Sequence, residues 1–179
     1  MRWRSQSQTG PGASVSGDGL DEGVWQMICD ILVAAYHGDA SAFIHATERL
    51  TQVLPLEGQR LAGAYLIYLL QYRVIDILGR SPTREDLQEL AGRVSSKYAR
   101  LLQVEASLLE DTLRTTFKLA SPETEVKGGR FAVSSSATLG VLLDDPQADL
   151  EVMRPHLAEW WRRNAEKFQN RGVSSVIRR

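Results

Sequence analysis

Apolar residues recur at every third or fourth position along most of this chain, which is the spacing of helices with one buried side. One segment departs from this pattern. Residues 61–70 are apolar nearly all the way round, and charged side chains stand only at the edges of the longer segment, at Arg60, Arg73 and Asp76. A helix of this composition has to be covered on several sides by other elements or by a second chain. The pattern therefore predicts a bundle arranged around this third helix.

Capping residues, glycine and proline mark the ends of the helices in the first half of the chain. A short polar side chain is expected before each helix, and glycine or proline after it. The predicted starts are Asp18 or Asp21, Asp39, about Glu57 and Thr83, and the predicted ends are His37-Gly38, Pro55 and Leu78-Gly79.

The middle of the chain is harder to divide. Apolar positions continue at helical spacing over residues 87–120, and the pattern leaves open whether Ser95-Ser96 interrupts the helix there. Pro122 and Gly128-Gly129 take the chain out of helix over residues 121–129. Residues 126–136 are compatible with a short strand, whereas residues 137–143 favour a short helix.

The last helical region is predicted to begin at Asp144-Asp145-Pro146, where a turn and a helix start coincide. Pro155 then requires a break or a first-turn position. The resulting prediction is an all-α, antiparallel multi-helix bundle of about six or seven helices around a central apolar helix. It comprises a disordered tail over residues 1–19, a single helical domain over residues 20–170 and a polar tail over residues 171–179.

Composition and charge narrow the class of protein. The 179 residues are 43% hydrophobic and 24% charged with a net charge of −1, which suits one globular domain and gives no overall attraction to nucleic acid or membrane. The only cysteine, Cys29, excludes an intramolecular disulfide, and no apolar run follows Arg2 and Arg4, so a cytoplasmic location is expected. Arg73 and Asp76 interrupt the window of about 20 residues that a membrane span requires. We expect no membrane partner.

Residues 82–91 resemble the first helix of the helix-turn-helix in sigma factors and repressors, which makes a DNA-binding regulator using residues 83–103 one alternative function. In this alternative Lys97, Arg100 and Gln103 contact DNA. Ser95 and Ser96 stand where the motif usually has a glycine and a buried aliphatic residue, and the neighbouring acidic residues repel phosphate. The competing interpretation is an ordinary capped helix of the bundle.

Aromatic residues supply the other candidate sites. Tyr65, Tyr68 and Tyr72 lie on one face of the third helix, which suits a packed core or, as a second alternative, the wall of a small-ligand cavity. If Trp161 is in the core, Trp160 lies on the shoulder of its helix beside Arg163, where it either covers its own chain or forms an interface hot spot.

The sequence gives only weak signals of catalysis or metal binding. His37, His45 and His156 lack the spacing that presents two imidazoles to one metal, and no nucleotide or nucleophile motif is present. We therefore expect no catalytic residue, no cofactor and no metal. The leading hypothesis is a non-catalytic cytoplasmic protein that acts through contacts with a protein partner or with itself, with Tyr65, Tyr68, Tyr72, Trp160 and Arg163 as contact candidates.

Overall fold

The computed structural model describes residues 17–103 and 107–171, with side chains up to Phe168, and over these residues the fold is an all-α bundle of seven helices without a strand. The all-α prediction is confirmed, and the short strand considered for residues 126–136 is wrong because a helix begins at Gly128. The helices are α1 (Glu22–His37), α2 (Ala40–Val53), α3 (Leu56–Leu78), α4 (Arg84–Leu102), α5 (Ser107–Thr116), α6 (Gly128–Leu142) and α7 (Pro146–Arg171).

The starts of the first four helices and the ends of the first three lie where the sequence predicts them. Asp21 and Asp39 each accept a hydrogen bond from a backbone N–H in the first turn, at 3.0 and 2.9 Å. Thr83 and Asp86 form a reciprocal capping box at the start of α4. Gly38 and Gly79 end α1 and α3 in the left-handed conformation, which glycine adopts without steric cost.

The interruption left open at Ser95-Ser96 and the break expected at Pro155 are both absent. The helix α4 runs continuously through Ser95 and Ser96 and ends only at Gln103, whose φ is 54°. The helix-turn-helix predicted over residues 83–103 is therefore wrong, because its two helices are one. Pro155 lies inside α7 and does not break it. Pro155 is exposed, so water can bind the carbonyl group that this proline leaves without a helical hydrogen bond.

The helix buried on every side is α6 rather than α3. Residues 134–143 are buried without interruption, and α6 packs against α1, α3, α4 and α5. The hydroxyls of Ser134, Ser136 and Thr138 donate to backbone carbonyls one turn earlier, with Thr138 donating to the Ser134 carbonyl at 2.6 Å, which lets a polar sequence enter the core. Gly140 lets α6 approach α1 closely, because a Cβ there would lie 2.3 Å from the Cβ of Ala35.

The helix α3 has 23 residues and is long and apolar enough to cross a membrane by length and composition alone. It packs against α1, α5, α6 and α7, as the core helix of a soluble protein does. One edge of α3 stays open, because Tyr68, Gln71 and Tyr72 are only half-buried and Ile75 is exposed.

Most of the two predicted tails lies outside the described residues, namely residues 1–16 and 172–179. Inside the predicted N-terminal tail, Asp18 lies 2.7 Å from the Nε of Arg154, which also pairs with Glu22 at 2.7 Å. The guanidinium of Arg154 lies over the Trp25 ring, 5.4 Å from its centroid. These contacts hold the start of α1 against α7.

Candidate contact face on helices α3 and α7

A buried arginine positions α7 beside α3. Arg73 on α3 donates from Nε to the carbonyl oxygen of Leu142 at 3.0 Å, and from Nη2 to the carboxylate of Asp144 at 2.7 Å. Its other carboxylate partners are Asp76 at 3.1 Å and Asp149 at 3.4 Å. The guanidinium thus fixes the connection between α6 and α7 and the first turn of α7.

Stacked rings then join α3 and α7 along the outside of the bundle. Tyr72 stacks on His156 with ring centroids 4.6 Å apart, and Tyr68 stacks on Trp160 at 4.9 Å. Rising numbers in α3 meet falling numbers in α7, so the two helices are antiparallel. Both stacks are nearly parallel, with interplanar angles of 29° and 23°.

The predicted tyrosine face is divided between the core and the surface. Tyr65 is fully buried and meets the edge of Trp161 at 5.6 Å. Burial raises the pKa of Tyr65, whose hydroxyl is buried without a partner in hydrogen-bonding geometry. Burial also raises the pKa values of Tyr68 and Tyr72, although both rings are half-exposed. Tyr65 is therefore a core residue, and only Tyr68 and Tyr72 reach the surface.

Trp160 and Arg163 lie beside Tyr68 at one end of this face. Trp160 is half-buried and covers its own chain through the Tyr68 stack, while part of its indole stays open to solvent. Arg163 is exposed and pairs with Glu159 at 2.7 Å, and its charge lowers the pKa of Tyr68 against the larger effect of burial.

Two exposed aliphatic residues extend the face, and sequence reasoning did not include them. Val152 on α7 is 58% exposed and Ile75 on α3 is 40% exposed. Continuing the antiparallel register of the stacks by one turn places Val152 level with Asp76, next to Ile75. A groove of about 370 Å³ runs along the α3 edge, lined by Tyr68, Gln71, Tyr72, Ile75 and Asp76. We call Tyr68, Tyr72, Ile75, Val152, His156 and Trp160 the contact face.

The buried polar groups on the other side of the bundle are part of the packed core. The Oγ1 of Thr112 lies 2.6 Å from the Leu108 carbonyl and 2.9 Å from the Oγ of Ser134. The hydroxyl of Tyr98 is buried near this pair without a partner in hydrogen-bonding geometry, and burial raises its pKa to about 12. Burial likewise raises the pKa of the Cys29 thiol to about 12, which keeps it protonated and unreactive.

The three DNA-contact candidates lie at the C-terminal end of α4. The Nζ of Lys97 lies 4.3 Å from the centroid of the Tyr36 ring, and burial lowers its pKa. Arg100 is exposed in the last turn of α4, and Gln103 is the left-handed residue that ends this helix. Within the part of the chain that the structure describes, no group of three His, Cys, Asp or Glu side chains is placed to hold a metal ion.

Comparison of the whole chain with protein-family models, with curated proteins and with solved structures gives no match.

Proposed function

We propose that this protein acts through protein contacts, and that its principal contact is self-association through the contact face. The observation that carries the proposal is the exposed apolar and aromatic surface across the seam of α3 and α7. Val152 and Ile75 project to solvent beside the two ring stacks. Rigid aromatic groups bury a large area at a low cost in side-chain entropy, which is why they are enriched at interface hot spots.

The position of the contact face favours packing against a partner molecule over packing against other helices of the same chain. The core sides of α3 and α7 are already filled by buried residues such as Leu69, Met153 and Leu157. Tyr72, His156 and Val152 lie on the outer side of that layer, where no other described helix covers them, which leaves the surface open to a second molecule. Because the exposed strip is only a few turns long, we expect a weak dimer with a Kd on the order of micromolar.

The proposal includes a non-catalytic role in the cytoplasm. A single half-buried cysteine with a raised pKa supports a reducing compartment and gives no nucleophile. The groove along α3 favours one alternative role for the same surface, the binding of a small apolar ligand between Tyr68 and Ile75.

Two valines of equal exposure test the proposal. Val152 lies in the contact face and is 58% exposed, and Val53 lies at the end of α2 and is 57% exposed. Light scattering during size-exclusion chromatography should show a dimer for the parent chain. Val152→Glu should weaken this dimer at least about tenfold, because the interface would have to desolvate a carboxylate.

Val53→Glu is the matched control and should leave the dimer unchanged. The proposal is contradicted if Val152→Glu has no effect on the mass measured in solution, or if both substitutions weaken association equally.

A further inference from the structure

The outer side of α7 carries a pattern that is symmetric about His156. Moving outward from His156 by four, seven and eleven residues in each direction reaches three pairs of positions at helical spacing. The inner pair is Val152 and Trp160, the next is Asp149 and Arg163, and the outermost is Asp145 and Lys167. One end of the stripe is therefore acidic, the centre is apolar and aromatic, and the other end is basic.

The structure places the exposed members of this stripe along one side of α7, whereas Asp149 is only 19% exposed and is turned to Arg73 and to the backbone N–H of Asp144. Val152, His156, Arg163 and Lys167 are exposed, and Trp160 is half-buried on Tyr68. The buried residues of α7, which include Met153 and Leu157, lie on a different side. Asp145 stands immediately before the helix, where its carboxylate accepts hydrogen bonds from the N–H groups of Gln147 and Ala148.

We propose that two copies of this chain pair through α7 in an antiparallel, two-fold arrangement centred on His156; this inference rests on the proposed self-association and specifies its geometry. A two-fold axis at His156 brings the acidic end of each α7 against the basic end of the other. Asp145 then faces Lys167 of the second copy at each end. A two-fold interface uses the same patch on both chains, so a self-complementary stripe is the pattern that such an interface requires.

The centre and the ends of the stripe contribute differently to the proposed dimer. At the centre, Val152 of one copy packs on the indole of Trp160 of the other, with Tyr68 and Tyr72 at the flank. This contact removes apolar surface from water and supplies most of the affinity. The charged ends remain near solvent, where ion pairs add little affinity but select the antiparallel orientation over the parallel one. In a parallel pair, like charges would meet at both ends.

Exchange of charge between the two ends tests the arrangement. Lys167→Glu places an acidic residue at both outermost positions of the stripe, and Asp145→Lys places a basic residue at both. Each variant alone should dimerise roughly tenfold more weakly than the parent in sedimentation equilibrium at low ionic strength, because both end contacts then join like charges. An equal mixture of the two variants should recover the parent affinity, since opposite charges meet again at both ends of the mixed dimer. High salt should remove the difference between the variants and the parent.

Arg162→Glu is the matched control for charge. Arg162 lies about 200° around the helix from Trp160 and is exposed, so this substitution should leave the Kd unchanged. Asp145→Lys also removes a helix cap. Asp145→Asn keeps a capping oxygen while removing the charge, and it should weaken the dimer roughly threefold with the circular-dichroism spectrum preserved.

The outcomes separate the two proposals. If the parent chain is a monomer at all concentrations, both the self-association and its antiparallel geometry are wrong. If the parent dimerises but the mixture of Lys167→Glu and Asp145→Lys associates no better than either variant alone, the antiparallel arrangement is wrong and the self-association stands.

Discussion

Gly140 is a residue at which α6 approaches α1 closely. Besides the contact with Ala35, a Cβ at this position would lie 3.1 Å from the carbonyl oxygen of Leu32, which belongs to the backbone of α1. Neither neighbour can rotate away as the end of a long side chain can. The close packing of α1 on α6 therefore depends on the absence of a side chain at this one position.

Gly140→Ala is predicted to destabilise the fold by about 1 to 3 kcal/mol, because α1 and α6 must separate to admit the methyl group. Urea denaturation followed by circular dichroism measures this change. Gly92 in α4 is the matched control, because a Cβ there meets nothing within 4 Å. Gly92→Ala should raise the free energy of unfolding by about 0.5 to 1 kcal/mol through helix propensity. Equal effects at the two glycines would contradict the close contact.

At the scale of elements, the start of α4 combines several stabilising contacts in one turn. The Oδ2 of Asp86 accepts from the Thr83 backbone N–H at 2.7 Å, and both carboxylate oxygens accept from Arg80, at 2.7 and 2.8 Å. The hydrogen bond from the Thr83 backbone, followed by those from the side chains of Arg80 and Thr83, lowers the pKa of Asp86 to about 2.

This lowered pKa predicts how the stability of α4 depends on pH. A carboxyl whose pKa is lower in the folded chain stabilises the fold above its usual pKa, near 4, and loses that contribution as the pH falls to about 2. Asp86→Asn should therefore be less stable than the parent at pH 6, and the gap should close as the pH is lowered to 2. Denaturation midpoints of the parent and the variant at several pH values measure this gap in stability. Glu89→Gln removes one negative charge from the same helix and serves as the control, and a gap that does not change with pH would contradict the assignment.

The starts of α1, α2 and α4 could be predicted because caps are local. Asp21, Asp39 and Thr83 each accept a hydrogen bond from the backbone N–H three residues later, so the local sequence contains both partners. The central position of α6 could not be predicted in the same way. Its buried face contains Ser134, Ser136 and Thr138, whose hydroxyls bond to carbonyls of their own helix, and hydrophobicity alone does not reveal that compensation.

Only part of the contact face could be predicted from the sequence. Tyr68, Tyr72, Trp160 and Arg163 were candidates, but their pairing across α3 and α7 depends on Arg73, whose bonds reach residues about 70 positions away. The break expected at Pro155 also divided α7, which separated Val152 from His156 and Trp160. With α7 continuous, the symmetric stripe from Asp145 to Lys167 becomes one surface.

At the scale of the whole molecule, the bundle divides into a filled interior and one open aromatic seam. The interior joins α1, α3, α4 and α5 around α6, and α7 closes the bundle against α1 and α3. The outer side of α7, together with the edge of α3, carries Val152, His156 and Ile75 to solvent. We propose that a second copy of the chain covers this surface.

The most direct test is the mass of the unmodified chain in solution as a function of concentration. Sedimentation equilibrium should give the 19.9 kDa of a single chain at nanomolar concentration and twice that mass at high micromolar concentration. The transition should fall at concentrations on the order of micromolar. A mass that stays at one chain up to the highest concentration that remains soluble would contradict the proposed self-association.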